Sequence, residues 1–341
     1  MYTTFADRLV DASSVAVVGH VRPDGDAIGS VTALVAMLRQ KGVNAHGFIG
    51  QEERFSEDLY TIPGADDIRT VAHFPDDVTA VVTVDCASID RTGTLQDEIA
   101  ALDKTVVIDH HSSNTNFGYK NFVIAESEAT AVMLYYLIDT LDVELTTDIA
   151  HSLYAGVLTD TGSFRWGGSS MHEVASKLVA TGIDQQAIAY DLVDRITTQD
   201  LRFNGQILSN LQVLEAGDIK IASLTAPYEL INGRPKSTIE SLINFVRATD
   251  DTDMGCVFKE QEPGQWTVSL RSRTLDAVAD MSRLPVTPMR APLTSSSSTS
   301  SQPSRITRSA YGTGHTTSAG SVGLCRARSF RQITTQLVRC V

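Results

Sequence analysis

The chain has 341 residues, 42% hydrophobic and 20% charged, a length that suits two domains with a core each. Its formal charge of −13 argues against a broad electrostatic grip on long DNA or long RNA, which needs clustered Lys and Arg. No apolar run reaches the roughly 20 residues of a membrane-spanning helix, and MYTTFADRLVDASS has no basic segment leading into a hydrophobic one; a cytoplasmic protein without a membrane partner is expected.

Near the N-terminus, SSVAVVGH is a short Val-rich run of the kind that fills a strand covered on both faces. RPDGDAIGS follows it, and then a helix is predicted through Val31, Leu34, Val35 and Leu38, closed by Gly42. Three more strands are predicted over 45–50, 80–85 (AVVTVD) and 105–111 (TVVIDHH). Strands alternating with helices imply an α/β fold with a parallel sheet and helices on both faces. Ligands of such sheets gather at the carboxyl ends of the strands, and three of these strands end in His or Asp.

From Ser127 to Leu201 the apolar spacing turns helical, and 184–210 reads as a helical connector. QVLEAGDIKIASL then gives two β-like runs around Gly217 and Asp218, a hairpin signal. A further strand through Met254 and Lys259, a turn at EPGQ and the strand WTVSLRSR complete a second, smaller α+β domain. The expected boundaries are 1–186, a connector at 187–210, and 211–341. Cys86, Cys256, Cys325 and Cys340 stand far apart without a C-x-x-C pair, which fits reduced thiols rather than a disulfide scaffold.

Four segments carry the chemistry: GHVRPDGDAIGS with His20, Asp24 and Asp26; VDCAS with Asp85; IDHHSSN with Asp109, His110 and His111; and GVLTDTGSF with Asp160. Singly, Asp24, Asp26 and Asp85 could be helix caps and His20 a structural histidine. Asp109 with two histidines at the end of an apolar strand is harder to assign to packing, because clustering such groups costs free energy unless something pairs with them. Carboxylates suit hard divalent cations, and imidazole shifts the preference toward transition metals. Mixed Asp and His therefore point to Mn²⁺, with Mg²⁺ or Co²⁺ as substitutes. Two such ions need a shared carboxylate with flanking ligands.

In its H-x-x-P-D-x-D and D-H-H motifs, in order from His20 to Arg273, the sequence resembles the DHH superfamily phosphoesterases. The resemblance is to the RecJ-related branch of bacterial oligoribonucleases (nano-RNases), pAp phosphatases and cyclic-di-AMP phosphodiesterases. It implies one Mn²⁺ held by His20, Asp24 and Asp85, and a second held by Asp26, Asp85, His110 and Asp160. It further implies that Asp109 orients a ligand histidine and that His111 faces the scissile phosphate. The implied partners are short RNA oligonucleotides, dinucleotides such as pApA, or nucleotide phosphates, and a homodimer is compatible with it. Two other readings stay open: a manganese inorganic pyrophosphatase, whose Lys- and Arg-rich C-terminal segment is absent here, and a non-catalytic nucleotide-binding protein with an impaired second domain.

Substrate handling in the family belongs to the second domain. Arg271 and Arg273 alternate with Ser272 along a strand, so both guanidiniums share a face and suit phosphate capture. The resemblance implies a glycine loop about twenty residues after this strand, and TLDAVADMSR starts the expected helix, but LPVTPMRAPLTSSSSTSSQPS then intervenes, a Pro- and Ser-rich insert at 284–304. Only then comes YGTGHTTSAG, where Gly312, Gly314 and His315 match the loop that grips the terminal phosphate. All 41 acids lie at or before Asp280, and eight Arg lie from Arg283 to Arg339. Either an insertion delays the loop, or 282–341 is an aberrant tail of the kind a shifted reading frame produces.

Overall fold

The structure is a computed structural model that describes residues 14–216, 219–272 and 306–308. The chain divides into two compact units between Arg195 and Ile196.

The first unit is built on a six-stranded sheet. Its strands are β1 (Val15–Gly19), β2 (Ala45–Ile49), β3 (Arg69–Thr70), β4 (Ala80–Val84), β5 (Thr105–Asp109) and β6 (Lys120–Val123), in the order β3-β2-β1-β4-β5-β6. Every neighbouring pair is parallel. The two-residue period of a strand explains the layers: Val15 and Val17 face one apolar cluster, Ala16 and Val18 the other, and all four are fully buried. A strand buried on both faces has no polar edge to show, hence its continuous apolar run. The order reverses between β1 and β4, and a crevice opens at the carboxyl ends of strands on either side of such a switch point.

Helix α1 (Gly25–Gln40) follows β1. It is capped by Asp24, whose side chain accepts the Ala27 amide at 3.1 Å, and it stops before Gly42, which adopts the left-handed φ of 78°. Helix α2 (Gln96–Ala101) precedes β5, and α3 (Thr130–Tyr135) and α4 (Leu137–Leu141) follow β6. Helix α5 (Thr147–Asp160), capped by Thr146, crosses α1 at very short range: a Cβ on Gly29 would lie 2.2 Å from the Ser152 carbonyl, and one on Gly156 would lie 2.5 Å from Asp26 Oδ1. Two glycines thus let the end of α5 reach the start of α1. The helical pattern read from 127 to 201 is in fact broken several times. Helix α6 (Ser169–Val179) ends ahead of Gly182 at φ 94°, and a short α7 (Gln185–Ala189) runs into a π-helical turn (Tyr190–Asp194).

The second unit is a mixed sheet of β7 (Gln212–Ala216), β8 (Ile219–Ala226), β9 (Met254–Glu262), β10 (Gln265–Ser272) and the short β11 (Ile306–Arg308), in the order β11-β10-β9-β8-β7. β7 pairs antiparallel with β8 around the predicted hairpin position, and β9 with β10 around Gly264 at φ 79°. Helices α8 (Thr198–Leu208), α9 (Tyr228–Ile231) and α10 (Lys236–Arg247) accompany the sheet. Phe203, Ile207, Leu242 and Val246 pack on one of its faces, and Met254, Cys256 and Phe258 line the other. On the helix-covered face, the buried Lys259 ammonium is compensated by Glu240 of α10 at 2.5 Å and the Ser269 hydroxyl at 2.9 Å, as a buried charge must be.

Candidate metal centre

The carboxyl ends of β1, β4 and β5 deliver the predicted residues to one place. His20 follows β1, Asp85 follows β4 and Asp109 closes β5; Asp26 sits in the first turn of α1 and Asp160 is the last residue of α5. Asp85 turns the chain out of the sheet at a left-handed φ of 58°, a conformation that Asp and Asn accept more readily than other side chains.

Two constellations meet at Asp85. On one side, His20 Nε2 lies 3.7 Å from Asp24 Oδ1 and 3.5 Å from Asp85 Oδ2. On the other, His110 Nε2 lies 3.6 Å from Asp85 Oδ1 and 3.2 Å from Asp160 Oδ2. Asp26, His110 and Asp160 bring ligand atoms within 4.8 Å of one another, and so do Asp85, His110 and His111. With metal–ligand bonds of roughly 2.0–2.2 Å, two ligands on one ion stand about 3–4 Å apart, as these atoms do. His110 Nε2 and Asp160 Oδ2 are buried with no hydrogen-bond partner, an arrangement that costs free energy unless a further group joins them. His20 Nδ1 lies 3.0 Å from the Val21 carbonyl and His110 Nδ1 3.2 Å from that of Ser127. A proton at His110 Nδ1 leaves its Nε2 with its lone pair aimed into the cluster, whereas His20 Nδ1 also faces an Arg91 guanidinium nitrogen at 2.9 Å, a donor that competes for its lone pair. The donor set and its orphaned atoms fit a pair of divalent cations.

Electrostatics follow the crowding. Burial, then the charge of Asp85, raises the Asp26 carboxyl to about 7 against the partial relief of His110. Burial, then Asp26, raises Asp160 to about 9. Burial by itself lowers His110, but Asp160 and Asp85 more than reverse it and lift the imidazole to about 9. Three groups therefore hold protons more tightly than usual.

Asp109 is fully buried and accepts from His111 Nδ1 at 2.8 Å and from Asn114 Nδ2 at 2.6 Å. Burial pushes its carboxyl up, but His111 and Asn114 outweigh burial and hold it below its ordinary value. The resemblance implies that Asp109 orients a ligand histidine; the histidine it holds is His111, while His110 rests on Ser127. His111 remains about one third exposed.

Three contributors were missed by the sequence reading. The Thr130 and Ala131 amides donate to the two Asp26 oxygens at 2.7 and 3.0 Å, so Asp26 caps α3 across the fold. The Thr130 hydroxyl donates to Asp85 at 3.2 Å. Asn114 stands in the D-H-H-S-S-N string, where its hold on Asp109 has no local signature. Arg271 lies half-buried on β10, with its guanidinium on the Leu270 carbonyl at 2.9 Å. Arg273, Gly312, Gly314 and His315 fall outside the described residues.

A doubly covered parallel sheet with acid and imidazole clusters at its switch point can hold divalent cations beside a ligand. Residues 14–157 match the DHH family, N-terminal domain, so this part of the chain is a DHH family domain. It is 28% identical over 268 residues to the bifunctional oligoribonuclease and PAP phosphatase NrnA of Thermus thermophilus, covering 74% of each chain. It is 25% identical over 226 residues to a probable manganese-dependent inorganic pyrophosphatase of Bacillus cereus, covering 64% of this chain and 70% of the other. In fold it is similar to an exopolyphosphatase-related protein from Bacteroides fragilis, with a TM-score of 0.72 and 23% identity over 82% of this chain and 86% of that one. Among the described residues no helix is long and apolar enough to cross a membrane.

Proposed function

We propose that the protein hydrolyses the phosphodiester bonds of short oligoribonucleotides and dinucleotides such as pApA, and the 3′-phosphate of pAp, with two Mn²⁺ ions. The observation that carries this reading is the pair of constellations sharing Asp85, with His111 held beside them by Asp109. The likeness to the Thermus oligoribonuclease and PAP phosphatase supports the substrate class.

His20, Asp24 and Asp85 would hold one cation, and Asp26, Asp85, His110 and Asp160 the other. When bound, such a pair supplies an acidified water as nucleophile and neutralises charge on the phosphate. The chain's own groups do the remaining work. His111 has its Nδ1 committed to Asp109, so its Nε2 is the atom that can pass a proton to the leaving oxygen. Asp109 fixes that tautomer and favours the charged ring, and Asn114 fixes Asp109. Arg271 offers a guanidinium for a substrate phosphate. Thr130 keeps Asp26 and Asp85 at a set separation.

The test is a turnover panel with Mn²⁺: pApA, a five-nucleotide RNA, pAp, cyclic-di-AMP and pyrophosphate. Hydrolysis of pApA and the short RNA well above pyrophosphate is expected. Phosphate release from pyrophosphate alone would assign the site to the pyrophosphatase reading that the Bacillus cereus relative represents.

A further inference from the structure

The segment after Asp160 is built at evident conformational expense. Gly162, Ser163 and Phe164 adopt left-handed φ values of 57°, 62° and 61° in succession. Single non-glycine residues in that region are uncommon, and such strain persists only where the surroundings over-determine it. Here they do. The Thr161 hydroxyl accepts the Phe164 amide at 2.9 Å and donates to Val157 at 2.6 Å, and the Thr161 carbonyl accepts the amides of both Arg165 and Trp166 at 3.0 Å. At the far end, Glu128 accepts the Gly168 amide at 3.0 Å and the Ser170 hydroxyl at 2.5 Å. Glu128 lies two residues before Thr130, which holds Asp26 and Asp85. The loop is thus pinned at both ends to segments that form the metal centre.

The pinned loop displays an aromatic ring. Trp166 remains 41% exposed, although its six-membered ring lies so close over Gly162 that a Cβ there would stand 2.6–2.8 Å from three ring atoms. Arg165 is exposed too; its Nε donates to the Gly162 carbonyl, and its guanidinium carbon is 5.5 Å from the Trp166 ring centroid. A flat π-surface braced on glycine backbone, flanked by a cation and a few residues from a phosphate-hydrolysing centre, matches what a nucleotide brings: a base with a π-face joined to a phosphate.

We infer that Gly162–Trp166 is a nucleobase platform, on which one base of the substrate stacks against Trp166 with Arg165 at its edge. This rests on the proposed nucleotide substrate. Because the indole is held in place before binding, little side-chain freedom remains to be lost on stacking. Every base has a π-face, so the platform discriminates weakly among bases and strongly against substrates without one.

Two measurements test it. First, KM is measured for pApA and for an abasic analogue with the same sugar-phosphate backbone, in wild type, Trp166→Ala and Trp166→Phe. Trp166→Ala should raise KM for pApA about tenfold more than for the abasic analogue, and Trp166→Phe should recover most of the loss. Equal effects on both ligands, or none on pApA, overturn the platform. Second, in a Trp266→Phe background Trp166 is the only tryptophan, and adenosine monophosphate should quench its fluorescence without any turnover. If the wild type hydrolyses neither pApA nor short RNA, the proposed function has failed instead; the quench then decides the platform, and an unchanged spectrum overturns it.

Discussion

His110 Nε2 stands 3.2 Å from Asp160 Oδ2, and neither atom makes a hydrogen bond. Together with Asp26, these residues hold protons beyond their ordinary range. The ordinary values are 3.8 for the carboxyls and 6.5 for the imidazole; in the fold they become about 7 for Asp26 and about 9 for Asp160 and His110. All three shifts are upward, so at these three groups the folded chain holds protons more tightly than the unfolded one. Their contribution to stability is complete below the ordinary values and is lost as pH climbs through the raised ones. Chelator-treated protein should therefore lose thermal stability between pH 5 and pH 9. Mn²⁺ competes with those same protons, so the melting-temperature difference between Mn²⁺ and EDTA samples should widen across that window. A difference that is flat or narrows with pH rules out cation binding at this cluster.

Asp85 presents one oxygen to His20 and the other to His110, so removing its charge should empty both positions at once. Asp85→Asn is the informative change, because Asn tolerates the left-handed φ of 58° whereas Ala adds backbone strain. Expected are a loss of activity of about 10³-fold or more and a drop in bound manganese, measured by elemental analysis, from two ions per chain to fewer than one. Retention of two ions with a folded circular-dichroism spectrum would show that Asp85 bridges nothing.

Much of this centre is legible in the linear sequence because the chemistry sits at strand ends, where apolar runs stop at His or Asp. What joins the pieces is not. Thr130 reaches Asp26 across 104 residues, and no local pattern marks a threonine at the start of a six-residue helix as the holder of two distant carboxylates. The edge strands β3 and β6 have no sequence signature for a related reason. β3 is two residues long, and β6 (KNFV) is half-exposed and has no apolar run; only the register against β2 and β5 makes strands of them. The partner of Asp109 was equally hidden, since two adjacent histidines after a strand leave open which of them turns back.

That pairing gives the next prediction. Burial on its own lowers the His111 imidazole, but the hydrogen bond and charge of Asp109 raise it above its ordinary value. As a proton donor His111 must be charged, so losing Asp109's charge should make it deprotonate at lower pH. Asp109→Asn should cut kcat by roughly 10²-fold or more and move the alkaline fall of the kcat profile toward neutrality. His111→Gln should remove that limb of the profile. An unmoved alkaline limb in Asp109→Asn would mean that another group donates the proton.

The last prediction concerns a residue with no chemistry of its own. Gly156 sits where α5 passes Asp26: a Cβ there would lie 2.5 Å from the Asp26 carboxylate and 2.7 Å from the Ala131 Cβ. The contact is short because Asp160, one turn further along α5, must come within reach of the same cluster. In the middle of an exposed helix, Gly→Ala stabilises by up to about 1 kcal/mol through propensity alone. Here the added methyl must push α5 away from α1 or displace Asp26 from the Thr130 and Ala131 amides. The first overpacks the core at a cost of about 1–3 kcal/mol, and the second uncaps α3. Gly156→Ala should therefore lower the melting temperature and weaken Mn²⁺ binding together, in calorimetry and in manganese titration, although no ligand has been altered. Propensity and geometry predict opposite signs at this position, so a Gly156→Ala protein that melts higher and binds Mn²⁺ as tightly as before would show that the α1–α5 contact does not set the ligand spacing.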